Sequence, residues 1–505
     1  MTQLGNGLQV LVIEDHSVPL ATIELVVKNG AFVQTPDIEG LAHLYEHMFF
    51  KANKTYPSQE EYMERVKELG IDFNGTTSNE RVNYFFTLSN ARLNEGLQFM
   101  NSAARFPLFL EEEMNREREV VASEFQRDES NPFFFLHQDM EKHLWGELFP
   151  RKNAIGRYEV ILSATPAIMQ KIKDMYYYPD NSMLCVAGDV NHDDVFNQIQ
   201  AIFGDWQHSG FDIFQKYPIP EFSPLKESAK FVTENPNAQV PVVYRSWIGP
   251  DTRNDILGTY VFDVFSYILG QKHSKLQLAL VETGLAFQVS AGYSTMKYSG
   301  PIQVLMVPNP DKVKEAIEAL DSEISQWGSD NYFTVDQLLM AKEMLEVQET
   351  YEKEKTSEYL HLISYWWASA TIDYYLDYVP NIKKVSREDI KNYVNKYISG
   401  KPNITGVLVS KEIREAIKLD TYSTKKAFVT KAQSLIFRML YHKNFRHKGT
   451  KFNFSHTLPR KFFRHKGAKF NFSHTLKKTF ATKAQRKELL KNKIGRGIKR
   501  WSICH

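Results

Sequence analysis

Cysteine is scarce and long apolar runs are absent in this chain of 505 residues, whose only thiols are Cys185 and Cys504. Two thiols, one of them beside the C-terminus, exclude a fold built on a disulfide framework. No apolar stretch reaches the ~18–20 residues that a membrane span needs, so no membrane association is predicted. Residues 1–14 lack a basic region followed by an apolar block, so no signal peptide is predicted. The expected compartment is the cytoplasm, or the periplasm if a leader sequence is missing.

Acidic residues are almost absent from the C-terminal end of the chain. Residues 421–505 contain 23 Lys and Arg but a single acid, Glu488, whereas the remainder carries 39 basic and 59 acidic residues. This division of charge predicts that residues 419–505 are an appendage and not part of the core. The segment from Phe445 to Leu458 recurs as Phe463 to Leu476 with one change. A tail that binds nucleic acid is one interpretation; a disordered extension never selected as protein sequence is the favoured one.

The remaining 418 residues contain helix and strand signals in an order that repeats once. In the first half, strands are predicted at 8–14, 20–28, 81–88 and 183–189, with helices between them. Three prolines mark a linker at 209–227, after which a similar order of strands and helices restarts. The sequence therefore predicts an α+β fold made of two similar domains. The predicted boundaries are 1–208, 209–227 for the linker, 228–418 and 419–505 for the tail.

The residues that carry chemistry lie on one predicted helix. Residues 43–47 read His-Leu-Tyr-Glu-His, an H-x-x-E-H pattern. At ~100° per residue, His43, Glu46 and His47 share about a third of the helix circumference. Two imidazoles at positions i and i+4 can bind one tetrahedral zinc ion, and the glutamate between them can take a proton from water. Two surface histidines beside a glutamate are the alternative interpretation of this pattern alone.

An acidic helical segment offers a third ligand. A catalytic zinc site needs three protein ligands and one open position. Glu117 and Glu124 are seven residues apart, so they lie on the same face of a helix. Glu124 follows His47 after 76 intervening residues.

In this spacing the sequence resembles the pitrilysin/insulinase family of zinc peptidases, the inverzincins. The family pattern is H-x-x-E-H, then 76 residues, then a ligand glutamate that ends a segment like the Glu-Arg-Glu-Val-Val-Ala-Ser-Glu found here at 117–124. The resemblance covers about residues 1–418 and is nearest to the bacterial and mitochondrial-processing-peptidase-like branch. It implies two homologous α+β domains, each a mostly antiparallel sheet covered by helices. The pair would form half of a clam-like chamber closed by a second chain.

The resemblance also implies a zinc-dependent endopeptidase that cleaves peptides or unfolded polypeptides. His43, His47 and Glu124 would hold Zn²⁺, and Glu46 would be the general base. Glu117 would orient a ligand imidazole, although a plain surface acid is the alternative. The segment 73–78 would pair with an extended substrate, with Asn74 bonding its backbone, although a simple Asn-Gly turn is an equal alternative for this stretch.

One departure from the family pattern concerns the second domain. The family supplies an Arg and a Tyr there, in a segment like Arg-x-x-x-Gly-Leu-Ala-Tyr, and this chain has Leu280 and Phe287 at those positions. Neither side chain can donate a hydrogen bond. The departure predicts a heterodimer in which a related chain contributes the Arg–Tyr pair, as an alternative to a homodimer. A peptide-binding or scaffolding subunit of a peptidase heterodimer, with little activity alone, is the rival hypothesis.

Overall fold

A computed structural model describes residues 1–417 and the backbone of 423–426; the predicted tail otherwise lies outside the described residues. The first half contains β1 Thr2–Gln3, β2 Gln9–Glu14, β3 Leu20–Val27, α1 Leu41–Phe49, α2 Gln59–Leu69, β4 Asp72–Thr77, β5 Val82–Ser89, α3 Leu93–Arg105, α4 Glu111–Glu129, α5 Pro132–Trp145, α6 Tyr158–Ser163, α7 Pro166–Tyr176, β6 Ser182–Gly188, α8 His192–Phe203 and α9 Ile213–Lys216. The second half contains β7 Ala229–Glu234, β8 Val242–Ile248, α10 Ile256–Gly270, α11 Lys275–Gln277, β9 Ala286–Tyr293, β10 Pro301–Pro308, α12 Val313–Gln326, α13 Val335–Glu352, α14 Thr356–Ser369, α15 Ile372–Leu376, α16 Tyr378–Lys384, α17 Arg387–Tyr397, β11 Ile404–Val409, α18 Lys411–Ile417 and β12 Ser423–Lys426.

Each half builds one six-stranded, mostly antiparallel sheet, and five of the six strands have the same topology in both sheets. The sixth strands differ: β1 is antiparallel to β2, whereas β12, which lies in the stretch predicted as tail, is parallel to β7. The first sheet has the order β1-β2-β6-β3-β5-β4 and the second has the order β12-β7-β11-β8-β10-β9. In both, a strand late in the half runs parallel to its first long strand, β6 beside β2 and β11 beside β7. The predicted fold class, two homologous α+β domains, is confirmed. The exact domain boundaries stay a prediction.

The two halves exchange one helix each. Helix α5 belongs to the first half in sequence, but it packs against the second sheet, where the ring of His143 stacks on that of Phe231 at 4.5 Å. Helix α14 belongs to the second half, and its Leu360 and Trp367 pack against Met183 of the first sheet. Each sheet therefore completes its apolar cover with a helix from the other half, because a sheet must bury its apolar faces to be stable.

A buried polar cluster joins α14 to the first sheet. The Glu24 carboxylate on β3 lies 2.6 Å from His361 Nδ1 and accepts a 2.6 Å hydrogen bond from Ser364. Arg81 donates to the carbonyl of His361 at 3.0 Å and lies 3.5 Å from Glu24. Burial by itself raises the pKa of Glu24, but His361 and Arg81 outweigh it and lower that pKa to about 2. The cluster fixes the junction of the two halves with paired charges.

Among the described residues, no helix is both long enough and apolar enough to cross a membrane. The thiol of Cys185 is fully buried on β6, where burial raises its pKa well above the usual value.

Candidate active site

Helix α1 has two different faces: one is apolar and buried in the core, and the other carries the predicted H-x-x-E-H motif. Gly40, which precedes the helix, has a φ of 93°, and a Cβ there would lie 2.7 Å from the Cα of Gly156. Glycine at both positions therefore lets the chain enter the helix against its neighbour. The apolar face of α1 is at most 1% exposed at Leu41, Leu44, Tyr45 and Met48. The opposite face carries the three polar side chains of the motif.

The structure brings His43, His47 and Glu124 together. Glu124 Oε2 on α4 lies 3.5 Å from His43 Nε2 and 3.7 Å from His47 Nε2. The candidate ligand atoms of all three residues lie within 4.8 Å of one another. Four ligands bound at ~2.0–2.2 Å around a tetrahedral zinc ion lie about 3.4 Å apart. The two imidazole nitrogens and the carboxylate therefore fit Zn²⁺ in chemistry and in spacing.

Glu117 is not among these ligand atoms; it lies between His47 and Lys51 and contacts both. Its Oε2 is 3.0 Å from His47 Nδ1, and its Oε1 accepts a 2.7 Å ion-pair contact from Lys51 Nζ. Burial raises the pKa of Glu117, but its bonds to His47 and Lys51 lower it by more. In the metal-free protein, burial lowers the pKa of His47, but Glu117, Glu46 and Glu124 together raise it above the usual value. Glu117 is therefore buried in contact with the ring of His47. Its role in orienting that imidazole stays a prediction.

Glu46 is contacted by strand β4. Thr77 Oγ1 donates a 2.6 Å hydrogen bond to Glu46 Oε2. A Cβ on Gly75, two residues earlier on the same face of the strand, would lie 2.9 Å from Glu46 Cγ. The carboxylate of the predicted general base is therefore placed by α1 from one side and by β4 from the other.

Asn74 lies on β4 and not in a turn. Residues 72–77 pair with β5 in antiparallel register, so the alternative of a simple turn is wrong. Strand β4 is an edge strand of the first sheet, and β5 is its neighbour. The side chain of Asn74 is exposed. Its Oδ1 accepts a 2.9 Å hydrogen bond from the backbone N–H of Gly75. The substrate-binding role of Asn74 stays a prediction.

The two positions that depart from the family pattern lie in different environments. Leu280 is fully buried in the core of the second half, in a single π-helical turn at 278–282. Phe287 is 50% exposed on β9, the last strand of the second sheet. An arginine in place of Leu280 would be buried among apolar side chains, so this position cannot simply be exchanged for the family residue.

Sequence reasoning missed two residues of this site, Lys51 and Thr77. Lys51 follows His47 by four residues and ends the apolar run 48–50, a spacing that predicts a contact near the histidine. Thr77 has the same parity as Gly75, which places both on one face if the segment is a strand. This alternation could not be used from the sequence, because a turn is an equal interpretation of the segment.

The fold and this geometry define a class, a two-domain α+β protein with an inverted zinc-peptidase motif, and comparison with known proteins identifies the family. The insulinase (peptidase family M16) model matches residues 9–147, and the peptidase M16 inactive domain matches residues 163–345. The chain belongs to this family. An uncharacterized zinc protease of Rickettsia felis is 23% identical over 407 residues, 79% of this chain and 95% of its own length.

One curated relative and two solved structures show how much of a related protein this chain can match. Human insulin-degrading enzyme is 30% identical over 228 residues, which is 44% of this chain but only 22% of the length of that enzyme. A protease from Helicobacter pylori superposes with a TM-score of 0.70 at 23% identity, covering 81% of this chain and 98% of its own. The periplasmic protease PqqL of Escherichia coli superposes with a TM-score of 0.66 at 15% identity, covering 91% of this chain but 52% of its own.

Proposed function

We propose that this chain is a zinc-dependent endopeptidase that hydrolyses peptides or unfolded polypeptides. One observation carries the proposal: His43 and His47 from α1 and Glu124 from α4 converge with the spacing of zinc ligands, and Glu46 lies on the same helix face between the histidines. Bound zinc supplies a Lewis acid that polarises water and the scissile carbonyl. The rest of the chemistry belongs to the side chains of the chain.

Glu46 is the general base in this proposal. It takes a proton from the attacking water and returns it to the leaving amine, a role that contributes typically 10²–10⁴ in rate. Glu117 would accept the Nδ1–H of His47, which would leave Nε2 of the same ring to hold zinc. This hydrogen bond would help to select the tautomer of His47 that zinc binding requires.

The substrate is proposed to bind as an extra strand beside β4. An edge strand presents unpaired backbone groups that an extended peptide can pair with. Strand β4 is such an edge, and it runs directly beside the helix that carries the motif. This mode recognises extended backbone, which accounts for a preference for unfolded chains.

A second chain is proposed to complete the enzyme. The chain matches only about half of PqqL, so that protein contains a further segment of similar length in the same polypeptide. Leu280 and Phe287 leave the second half of this chain without hydrogen-bond donors where the resemblance expects an Arg and a Tyr. A related chain that contributes those donors, in a heterodimer, is therefore the proposed partner.

The lack of hydrogen-bond donors at Leu280 and Phe287 favours a second candidate function, a peptide-binding subunit with little activity of its own. Losing one donor to the developing oxyanion typically lowers the rate by about 10²–10³. If this candidate is correct, the zinc-loaded chain binds an unfolded peptide but cleaves it poorly alone, and cleavage by the heterodimer does not depend on Glu46.

The decisive experiment compares the wild type with Glu46→Gln. Zinc content is measured by mass spectrometry and cleavage with a quenched fluorescent peptide. We expect one zinc per chain in both proteins, and a rate at least 10²-fold lower in the variant, because the amide cannot accept the proton. The matched control is Glu119→Gln, which changes an exposed glutamate of α4 outside the site. A wild type without zinc, or a variant that cleaves at the wild-type rate, contradicts the proposal.

A further inference from the structure

Glu46, the proposed general base on α1, accepts a hydrogen bond from Thr77 on strand β4. The hydroxyl of Thr77 is 2.6 Å from Glu46 Oε2 and 3.5 Å from the carbonyl oxygen of Ala42. A hydroxyl has one proton to donate, and the shorter contact to a charged acceptor receives it. The bond therefore runs from strand β4 to the carboxylate on α1.

Gly75 provides the space that this bond requires. A Cβ at this position would lie 2.9 Å from Glu46 Cγ, 3.2 Å from the carbonyl oxygen of Asn83 and 3.2 Å from the ring of Phe50. Real Cβ atoms essentially never lie 2.9 Å from another atom, so a side chain at position 75 would force Glu46 or the strand to shift. Glycine is required here by the close approach of Glu46 and not by an unusual φ.

The strand that makes these contacts is anchored on its other side. Thr77 is paired with Val82 and Gly75 with Tyr84 in the β4–β5 register. Between those two positions of β5 lies Asn83, which donates a 2.7 Å hydrogen bond to the buried carboxylate of Glu24. The hairpin is therefore tied to the polar cluster at the junction of the halves, which restricts movement of Thr77 relative to α1.

We propose that Thr77 is a positioning residue for Glu46, so that β4 sets the orientation of the general base in the same frame in which it pairs with the substrate backbone. The proposal rests on the proposed function of β4 and Glu46. Alternation along the strand puts residues 75 and 77 on the face towards α1, while the outer edge of β4 remains for the peptide. One strand thereby fixes the scissile bond and the base relative to each other, and small misplacements of such groups are known to lower rates strongly.

The test compares Thr77→Val, which keeps the shape but removes the hydroxyl, with Thr77→Ser, which keeps the hydroxyl. For Thr77→Val we expect kcat to fall about 10- to 100-fold, as for the loss of a hydrogen bond to a charged group, with KM and zinc content within about twofold of the wild type. Thr77→Ser should restore kcat to within about threefold. The matched control is Thr87→Val on β5, whose hydroxyl pairs with that of Thr22 at 2.9 Å.

Crystal structures of the same variants give a readout that does not depend on activity. We expect the Glu46 carboxylate of Thr77→Val to move by about 1 Å or to occupy two orientations, and that of Thr77→Ser to stay in place. Equal losses of kcat in both Thr77 variants, or an unmoved carboxylate with unchanged kcat in Thr77→Val, would overturn the proposal. If the wild type neither binds zinc nor cleaves peptide, the proposed function fails, and the position of the carboxylate alone decides the role of Thr77.

Discussion

Replacing Lys51 with methionine is expected to weaken both the fold and the metal site, because this lysine compensates a buried carboxylate. Lys51 is 9% exposed and Glu117 is 8% exposed, and the ammonium lies 2.7 Å from the carboxylate. Methionine keeps most of the apolar stem but removes the charge. Glu117 is then left with His47 as its remaining charged neighbour in hydrogen-bond contact.

The size of the effect follows from the distance and the burial. At 2.7 Å and an effective dielectric constant of ~20, the attraction is about 6 kcal/mol before the loss of hydration is subtracted. Removing one partner of a buried ion pair typically destabilises a protein by about 3–5 kcal/mol. Because His47 still compensates Glu117 in part, we expect a loss of about 2–3 kcal/mol in the metal-free protein. Disturbing a partner behind a metal ligand should also weaken zinc binding by about 10- to 100-fold.

Two measurements check this prediction. Urea unfolding of the metal-free protein gives the loss of stability, and competition with a chelator gives the zinc affinity. The matched control is Lys54→Met, which removes an exposed lysine three residues away and should change the unfolding free energy by less than about 0.5 kcal/mol. The double variant with Glu117→Gln should lose less than the sum of the single losses, because the two changes remove the same ion pair. An additive double variant, or a Lys51→Met protein with unchanged stability and zinc affinity, would refute the reasoning.

Three further predictions concern the ligands, the junction of the halves and the tail. His43→Ala or Glu124→Ala leaves two ligands, so zinc content should fall well below one per chain, and full occupancy in either variant contradicts that assignment. The pKa of Glu24 is lowered from 4.5 to about 2, so the ionised carboxylate contributes about 3 kcal/mol to the free energy of unfolding above pH 4.5. This contribution is lost as the pH falls towards 2. Glu24→Gln should therefore flatten that part of the acid unfolding profile, and an unchanged profile would contradict the prediction. Deleting residues 427–505, which keeps β12 on the second sheet, should leave cleavage and folding unchanged. A deletion variant that loses a nucleic-acid binding shown by the full chain would support the nucleic-acid interpretation of the tail.

Local pattern was sufficient for the parts of this protein that depend on one element at a time. The 3.6-residue period places His43, Glu46 and His47 on one face of α1, and the structure has Leu44 and Tyr45 buried on the other. Strands with strong β-branched patterns, such as β3 and β6, were predicted within one or two residues. The spacing of Glu124 was informative only through the resemblance, since no local rule relates residues that lie 77 positions apart.

Weaker local signals led to errors in the same sequence. The Asn-Gly pair in strand β4 is a strong turn signal, so the sequence favours a turn there as much as a strand. Pairing with β5 makes the segment a strand. Strand β7 at Ala229–Glu234 was not predicted, since its lysine, threonine and glutamate interrupt the apolar pattern. Parallel pairing with β11 stabilises it instead.

The sequence by itself determined the fold class, the duplicated order of elements and the candidate zinc motif, because amphipathic periods and short spacings act within a few turns of chain. Only the tertiary structure decided which side chains complete the site and how the halves are joined. Lys51 reaches Glu117 and Thr77 reaches Glu46 across element boundaries, at 2.7 Å and 2.6 Å. Helices α5 and α14 each cover the sheet of the other half. Such contacts depend on how whole elements pack against one another, because the two pairs of residues are 66 and 31 positions apart and no local period relates them.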